Sequence, residues 1–217
     1  MLILLLECGY VLRATEWTAP AGEPLRVALV QGNVPQEMKF DPARYARTLD
    51  TYAQLAEDLP AAGAARLIVL PETAVPRFLD LVDPAFLDRL KAAAARNGGD
   101  LLLGVPVRSG AGDYLNSVIS LGVSPPARYD KVHLVPFGEF VPPGFGWIVR
   151  VLSIPLADFA RGATHQRPMA VAGQRVAVNV CYEDAYGAEI IRQLPEATLL
   201  VNVSNVAWFG DSLAPAQ

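Results

Sequence analysis

The sequence predicts an α/β fold, on three observations. Short β-branched runs bounded by Pro and Gly alternate with amphipathic stretches opened by Asp-Pro. Hydrophobic residues make up 52% of 217 and charged residues 18%, enough to fill a substantial core. Neither a repeat, a low-complexity tract nor a linker divides the alternation, so it reads as one domain.

The elements follow in order. Leu25 to Gln31 lies between Pro24 and Gly32 and is expected to form a buried strand. Asp41-Pro42 opens a helix, because proline at the first turn loses no hydrogen bond that a helix would make. Tyr45, Leu49, Tyr52, Ala56 and Leu59 give that helix one apolar face. Leu67 to Leu70 is a second buried strand, stopped by Pro71. Asp83-Pro84 opens another helix, carrying Phe86, Leu87, Leu90, Ala93 and Ala94 and ending at Asn97-Gly98-Gly99. Strands are expected over Asp100 to Val107, Asn116 to Leu121 and Arg128 to Lys131. Gly138 to Pro155 is rich in Pro and Gly, with room for one short helix around Trp147-Ile148-Val149. Gln174 to Cys181 and Ala197 to Ser204 complete the strands, with a helix over Ala185 to Leu194 between them.

Composition excludes several function classes. A net charge of −4 and a sequence pI near 5.2 give nucleic-acid binding no electrostatic footing. Two cysteines (Cys8, Cys181) and two histidines (His133, His165) exclude a disulfide-dense scaffold and a Cys-rich zinc site, and leave little for any other metal. The mean hydropathy of +0.27 raises the question of a membrane. A spanning helix needs about 20 apolar residues, whereas Met1 to Leu6 is closed by Glu7 and followed by Arg13 and Glu16. That stretch reads equally as the start of a soluble chain or the stump of a longer hydrophobic segment.

Three polar side chains stand where apolar strands end, the usual place for ligand and catalytic groups in α/β proteins. They are Glu72 in LPET, Lys131 in YDKVHLVPFGEF and Cys181 in VNVCYED. A thiol is a nucleophile as thiolate, a carboxylate can take its proton, and an ammonium can stabilise an oxyanion. Together they make a complete acyl-transfer set. Each also has a bland reading. A buried Cys is ordinarily a small hydrophobe, a Glu after Pro71 a solvated turn residue, and a Lys beside Asp130 a surface ion pair. His133 suits a structural hydrogen bond better than general-base work, and Cys8 has no reactive setting.

With their neighbours, these residues acquire a family likeness. LPETAVP, Tyr114-Leu115-Asn116-Ser117, YDKVHLVPFGEFVP over Tyr129 to Pro142, VNVCYED and VSNVAWFGDS occur in that order. Together they resemble the nitrilase superfamily of carbon–nitrogen hydrolases, with its Glu-Lys-Cys triad. HLVPFGEFVP, Cys-Tyr-Glu and Ala-Trp-Phe-Gly are most similar to its apolipoprotein N-acyltransferase branch, bacterial inner-membrane enzymes that N-acylate lipoproteins. The resemblance runs from about Leu25 to Gln217, leaving residues 1–24 as a lead-in.

The resemblance implies a nitrilase-like four-layer α-β-β-α sandwich, incomplete at its C-terminal end. It implies Glu72 as general base, Lys131 as oxyanion-stabilising cation and Cys181 as nucleophile. Glu139 would assist the base or orient the lysine, with Tyr182 and Glu183 flanking the nucleophile and Asn116 in the pocket. Arg150 would stand on a substrate-contacting loop and Trp208 near the mouth. Phe40 replaces a frequent Trp, and Val206 a usual Asp. The implied partners are a phospholipid acyl donor, a diacylglyceryl-cysteine lipoprotein acceptor and the membrane, with this domain on the extracytoplasmic face. No metal or organic cofactor is implied. Relatives carry membrane helices on both sides of such a domain. A soluble amidase using the same triad with water as second nucleophile is the alternative.

Overall fold

The computed structural model describes residues 2–16, 19, 22–34, 41–60, 65–110, 112–141 and 159–209. Phe40, Arg150 and Trp147-Ile148-Val149 lie outside these residues, as does the side chain of Trp208. Helix α1 (Leu2–Ala14) leads in, with Leu6, Tyr10, Val11 and Leu12 all exposed. Helices α2 (Pro42–Glu57) and α3 (Pro84–Ala95) start where Asp-Pro predicts. Asp41 and Asp83 each accept the N–H two residues on, from Ala43 and Ala85, at 2.9 Å.

A five-stranded sheet runs in the order β1 (Val27–Leu29), β2 (Leu67–Val69), β3 (Asp100–Arg108), β4 (Tyr114–Gly122), β5 (Arg128–Asp130). The first three are parallel and the last two pairings antiparallel. A second sheet holds β6 (Met169–Val171), β7 (Gln174–Val180) and β8 (Leu199–Val203). β6 and β7 form a hairpin through Ala172-Gly173, with β8 parallel to β7.

The central strands read as unbroken apolar runs because both faces of the larger sheet are covered. Ile68, Leu101 and Leu103 face Leu49, Tyr52, Ala53, Phe86 and Leu90 of α2 and α3. Leu67, Val69, Leu102, Val118 and Tyr129 face the second sheet, against Met169, Val171, Val176, Val178 and Val203. Helix, sheet and sheet therefore stack in that order.

Three expectations are corrected. Among the described residues the first strand is an edge, not a buried strand: Leu29 is 80% exposed and Val27 41%. The described part of the second sheet has three strands against five, and that face of β1 is left outside the seam. The helix expected over Ala185 to Leu194 is broken into a 3₁₀ turn (Cys181–Ala185), one turn of helix α4 (Gly187–Ile190) and another 3₁₀ turn (Ile191–Gln193). Tyr186, at φ −101° and ψ 57°, interrupts the helical path. Strand β6 has no signature in the sequence, since three residues are too short for an alternation to register. No helix among the described residues is long and apolar enough to cross a membrane.

Candidate active site

The four polar groups of the site come from four loops or strands that meet between the sheets. Glu72 follows β2 on a turn that lies directly on β3. A Cβ at Gly104 would stand 2.4 Å from the Pro71 carbonyl oxygen, so only glycine admits the turn. Lys131 follows β5, its N–H donating to the Asn116 carbonyl of β4 at 2.8 Å. Its own carbonyl accepts from Gly162 at 2.8 Å. Glu139 sits in a turn that its side chain helps to close, accepting from the Val135 N–H at 2.9 Å.

These side chains converge on one ammonium. Lys131 Nζ lies 3.3 Å from Glu72 Oε1 and 2.8 Å from Glu139 Oε2. Asn116 Nδ2 donates to Glu72 Oε1 at 2.8 Å and to Glu139 Oε1 at 2.7 Å, so one amide spans both acids. Lys131 is 1% exposed, and Glu72 and Asn116 are buried with it. The surface ion-pair reading is thereby overturned: Asp130 pairs with Arg128 at 3.0 Å instead. The solvated-turn reading of Glu72 falls for the same reason. Burial alone would lower the lysine's pKa, but the charges of Glu72 and Glu139 outweigh it and hold the group above its ordinary value.

Cys181 follows β7 and is held at φ +53°, a left-handed conformation that costs a non-glycine residue about 1–3 kcal/mol. Asn202 of β8 secures the strained residue by donating to its carbonyl at 3.1 Å. Burial is the main reason that the thiol's pKa is raised, and the charge of Glu72 adds to it. Ser204, Lys131 and the Tyr182 N–H pull the other way without winning. Burial therefore favours the neutral thiol over the thiolate at this position. Exposed Cys8 shares none of this setting.

Glu183 works differently. Its Oε1 accepts from the N–H groups of Val132 at 2.6 Å and His133 at 3.1 Å. Its Oε2 accepts from the Val180 N–H at 2.8 Å and the Tyr129 hydroxyl at 3.0 Å. It thus bolts the Lys131 loop to the strand that carries Cys181. Burial, and then the Glu183 charge, push the Tyr129 phenol well above its ordinary value, so it remains a donor. Tyr182 is half exposed and meets Tyr186 edge to face at 5.3 Å, turned toward the surface. Val206 is exposed on the rim of a groove of about 440 Å³ between the ends of β1, β2 and β8. Ser204 and Tyr129 were missed as site residues by sequence reasoning, because their roles depend on contacts that spacing does not reveal.

Residues 26–217 match the carbon–nitrogen hydrolase family. The chain belongs to that family. It is 50% identical over 212 residues to the apolipoprotein N-acyltransferase of Nitrosomonas europaea and 48% identical over 212 to that of Chromobacterium violaceum. Each alignment covers 96% of this chain, but only 42% and 40% of the respective relative. The chain thus spans about two fifths of the length of these curated relatives. Among solved structures it is similar to a variant of the amidase from Nesterenkonia sp. AN1, with TM-score 0.58 at 22% identity, covering 92% of this chain and 71% of that one. A carbon–nitrogen hydrolase from Helicobacter pylori G27 gives TM-score 0.55 at 20% identity, with 83% and 59% covered. The fold is therefore the nitrilase-like α-β-β-α sandwich expected from the sequence.

Proposed function

We propose that this chain is the catalytic domain of an apolipoprotein N-acyltransferase, with Cys181 as nucleophile, Glu72 as general base and Lys131 as oxyanion stabiliser. The observation that carries the reading is a buried lysine held between two carboxylates, with the Cys181 thiol within reach of their charges. Glu72 takes the proton from Cys181, and the sulfur attacks the acyl carbonyl of a phospholipid ester. Lys131 steadies the tetrahedral oxyanion. Its collapse breaks the carbon–oxygen ester bond, and Glu72 returns the proton to the departing lysophospholipid alkoxide. The α-amine of a diacylglyceryl-cysteine lipoprotein then attacks the thioester, losing a proton to Glu72. The second oxyanion collapses, the amide forms and the thiol is regenerated.

Glu139 and Asn116 hold Glu72 and Lys131 in place, and Glu183 holds the two loops together. Phe40, Arg150, Tyr182 and Trp208 are assigned to the substrate approach by resemblance. The protein would work at the bacterial inner membrane, with this domain on the extracytoplasmic face. The exposed apolar side chains Leu6, Tyr10, Val11 and Leu12 of helix α1 are compatible with that location.

Relatives near half identity carry the acyltransferase name, whereas the amidase likeness stands near one fifth and speaks to fold. The hydrolytic alternative is not favoured. Mass spectrometry of the full-length chain incubated with phospholipid tests the assignment. A fatty-acyl thioester is expected on Cys181, present in Cys8→Ala and absent in Cys181→Ala. An adduct that persists in Cys181→Ala overturns it.

A further inference from the structure

Lys131 and Cys181 belong to different sheets, and the segment after Cys181 has little structure of its own. It consists of two 3₁₀ turns around a single turn of helix, with Ile191 62% exposed. Such a segment opens easily unless something outside ties it down. Glu183 is one tie, deep in the seam. A second lies nearer the surface. His133, two residues beyond Lys131, meets Glu189 of α4, Nε2 to Oε2 at 2.6 Å. The Tyr186 ring stacks on the imidazole at 3.8 Å between centroids and 8° between planes. Tyr186 in turn donates its hydroxyl hydrogen to the Tyr182 hydroxyl at 3.2 Å, beside the nucleophile. A cavity of about 300 Å³ borders His133, Tyr186 and Glu189, so close packing does not enclose this contact. The polar pair and the stacked ring hold it.

We propose that His133 and Glu189, with Tyr186, form a positioning latch that sets Cys181 against Lys131 for acyl transfer. The latch rests on the roles proposed above for those two residues. It joins the loop of the cation to the segment leaving the nucleophile, 56 residues apart in sequence. Neither residue touches the reacting atoms. When the latch is released, the Lys131 loop and the Cys181 turn are joined through Glu183 on one side only, and the lysine stabilises the thiolate less.

The test is the rate of Cys181 alkylation by iodoacetamide across pH, in the full-length chain with Cys8→Ala as background. Glu189→Ala should slow alkylation by about 10- to 100-fold, the scale of a small misplacement of reacting groups. It should also move the pH midpoint upward while the thermal midpoint stays put, since Glu189 is part exposed. Glu189→Gln keeps an acceptor and His133→Gln keeps a donor, and both should recover most of the rate. A wild-type rate and pH profile in Glu189→Ala and His133→Leu overturns the latch. So does a slower rate that merely follows a lost thermal midpoint and is not rescued by Glu189→Gln. Lys131→Met in the same assay separates the two ideas. An unchanged midpoint there defeats the assignment of Lys131, whereas a raised one with an unaffected Glu189→Ala defeats the latch alone.

Discussion

Two buried carboxylate centres lie at opposite ends of the parallel strands, and they are built on different rules. At the start of β3, Asp100 accepts from the Ser124 N–H at 2.9 Å, the Ser124 hydroxyl at 2.6 Å and the Ala172 N–H at 2.6 Å. These donors come from the end of β4 and from the β6–β7 hairpin, so one side chain ties the two sheets together. Burial disfavours its charge, but the donated hydrogen bonds prevail and hold its pKa below the ordinary value. At the far end of β2, Glu72 shares one amide and one ammonium with Glu139 and lies beside a thiol. A carboxylate saturated by fixed N–H and O–H donors serves as a fastener. One that shares its partners and borders a buried thiol is placed for the proton transfer proposed above.

The sharpest way to break this distinction is to neutralise each acid. Glu72→Gln keeps the shape and removes the proton acceptor, so thioester formation should fall by roughly 10²–10⁴. Its thermal midpoint should stay near that of the parent chain. Wild-type turnover would return Glu72 to the fasteners. Asp100→Ala should do the opposite. It strands buried donors and should cost about 1–3 kcal/mol of stability for each unsatisfied group, with activity per folded molecule preserved. Urea unfolding alongside an acylation assay reads both, and a loss of activity beyond the loss of folded protein would erase the contrast.

A gentler perturbation is acid. The folded-state pKa of Asp100 lies below its unfolded value. Its contribution to stability is therefore present above the unfolded value, near 3.9, and lost as pH falls through the folded one. Asp100→Asn should flatten that acid limb relative to the parent chain, as followed by urea unfolding between neutral and low pH. An unchanged limb would show that other acids set it. The smallest expected effect is at the groove rim. Val206→Asp restores the carboxylate that the resemblance leads one to expect, at an exposed position that tolerates it. It should raise acylation a few-fold, about the net worth of one hydrogen bond, with stability within about 0.5 kcal/mol. No change would make that position irrelevant to the chemistry.

Much of the site was legible because its residues sit in contiguous strings that end strands. The same holds for α2 and α3, whose Asp-Pro starts act locally on the next turn. What could not be read depends on distant partners. Asp100 looks like an ordinary strand-opening acid until Ser124 and Ala172 arrive from 24 and 72 residues away. The exposure of Leu29 follows from how far the described part of the second sheet reaches, not from the apolar run itself. The break at Tyr186 reflects a ring drawn onto His133, a choice that helical periodicity does not encode. The bland alternative for Lys131, an ion pair with adjacent Asp130, fails because Asp130 pairs with Arg128 while Lys131, just past the end of β5, turns to Glu72 and Glu139.

The shared ammonium has a consequence for the energetics of the proposed first step. With Glu72 and Glu139 ionised, Lys131 protonated and the thiol neutral, the cluster carries one formal negative charge. When the proton passes from sulfur to Glu72, that total does not change. The negative charge is relocated within the cluster, beside a buried cation already desolvated at folding, and no new ion has to be stripped of water. The cost of making the nucleophile is thus separated from the solvent, and dissolved salt, which screens exposed charges far more than buried ones, has little hold on it.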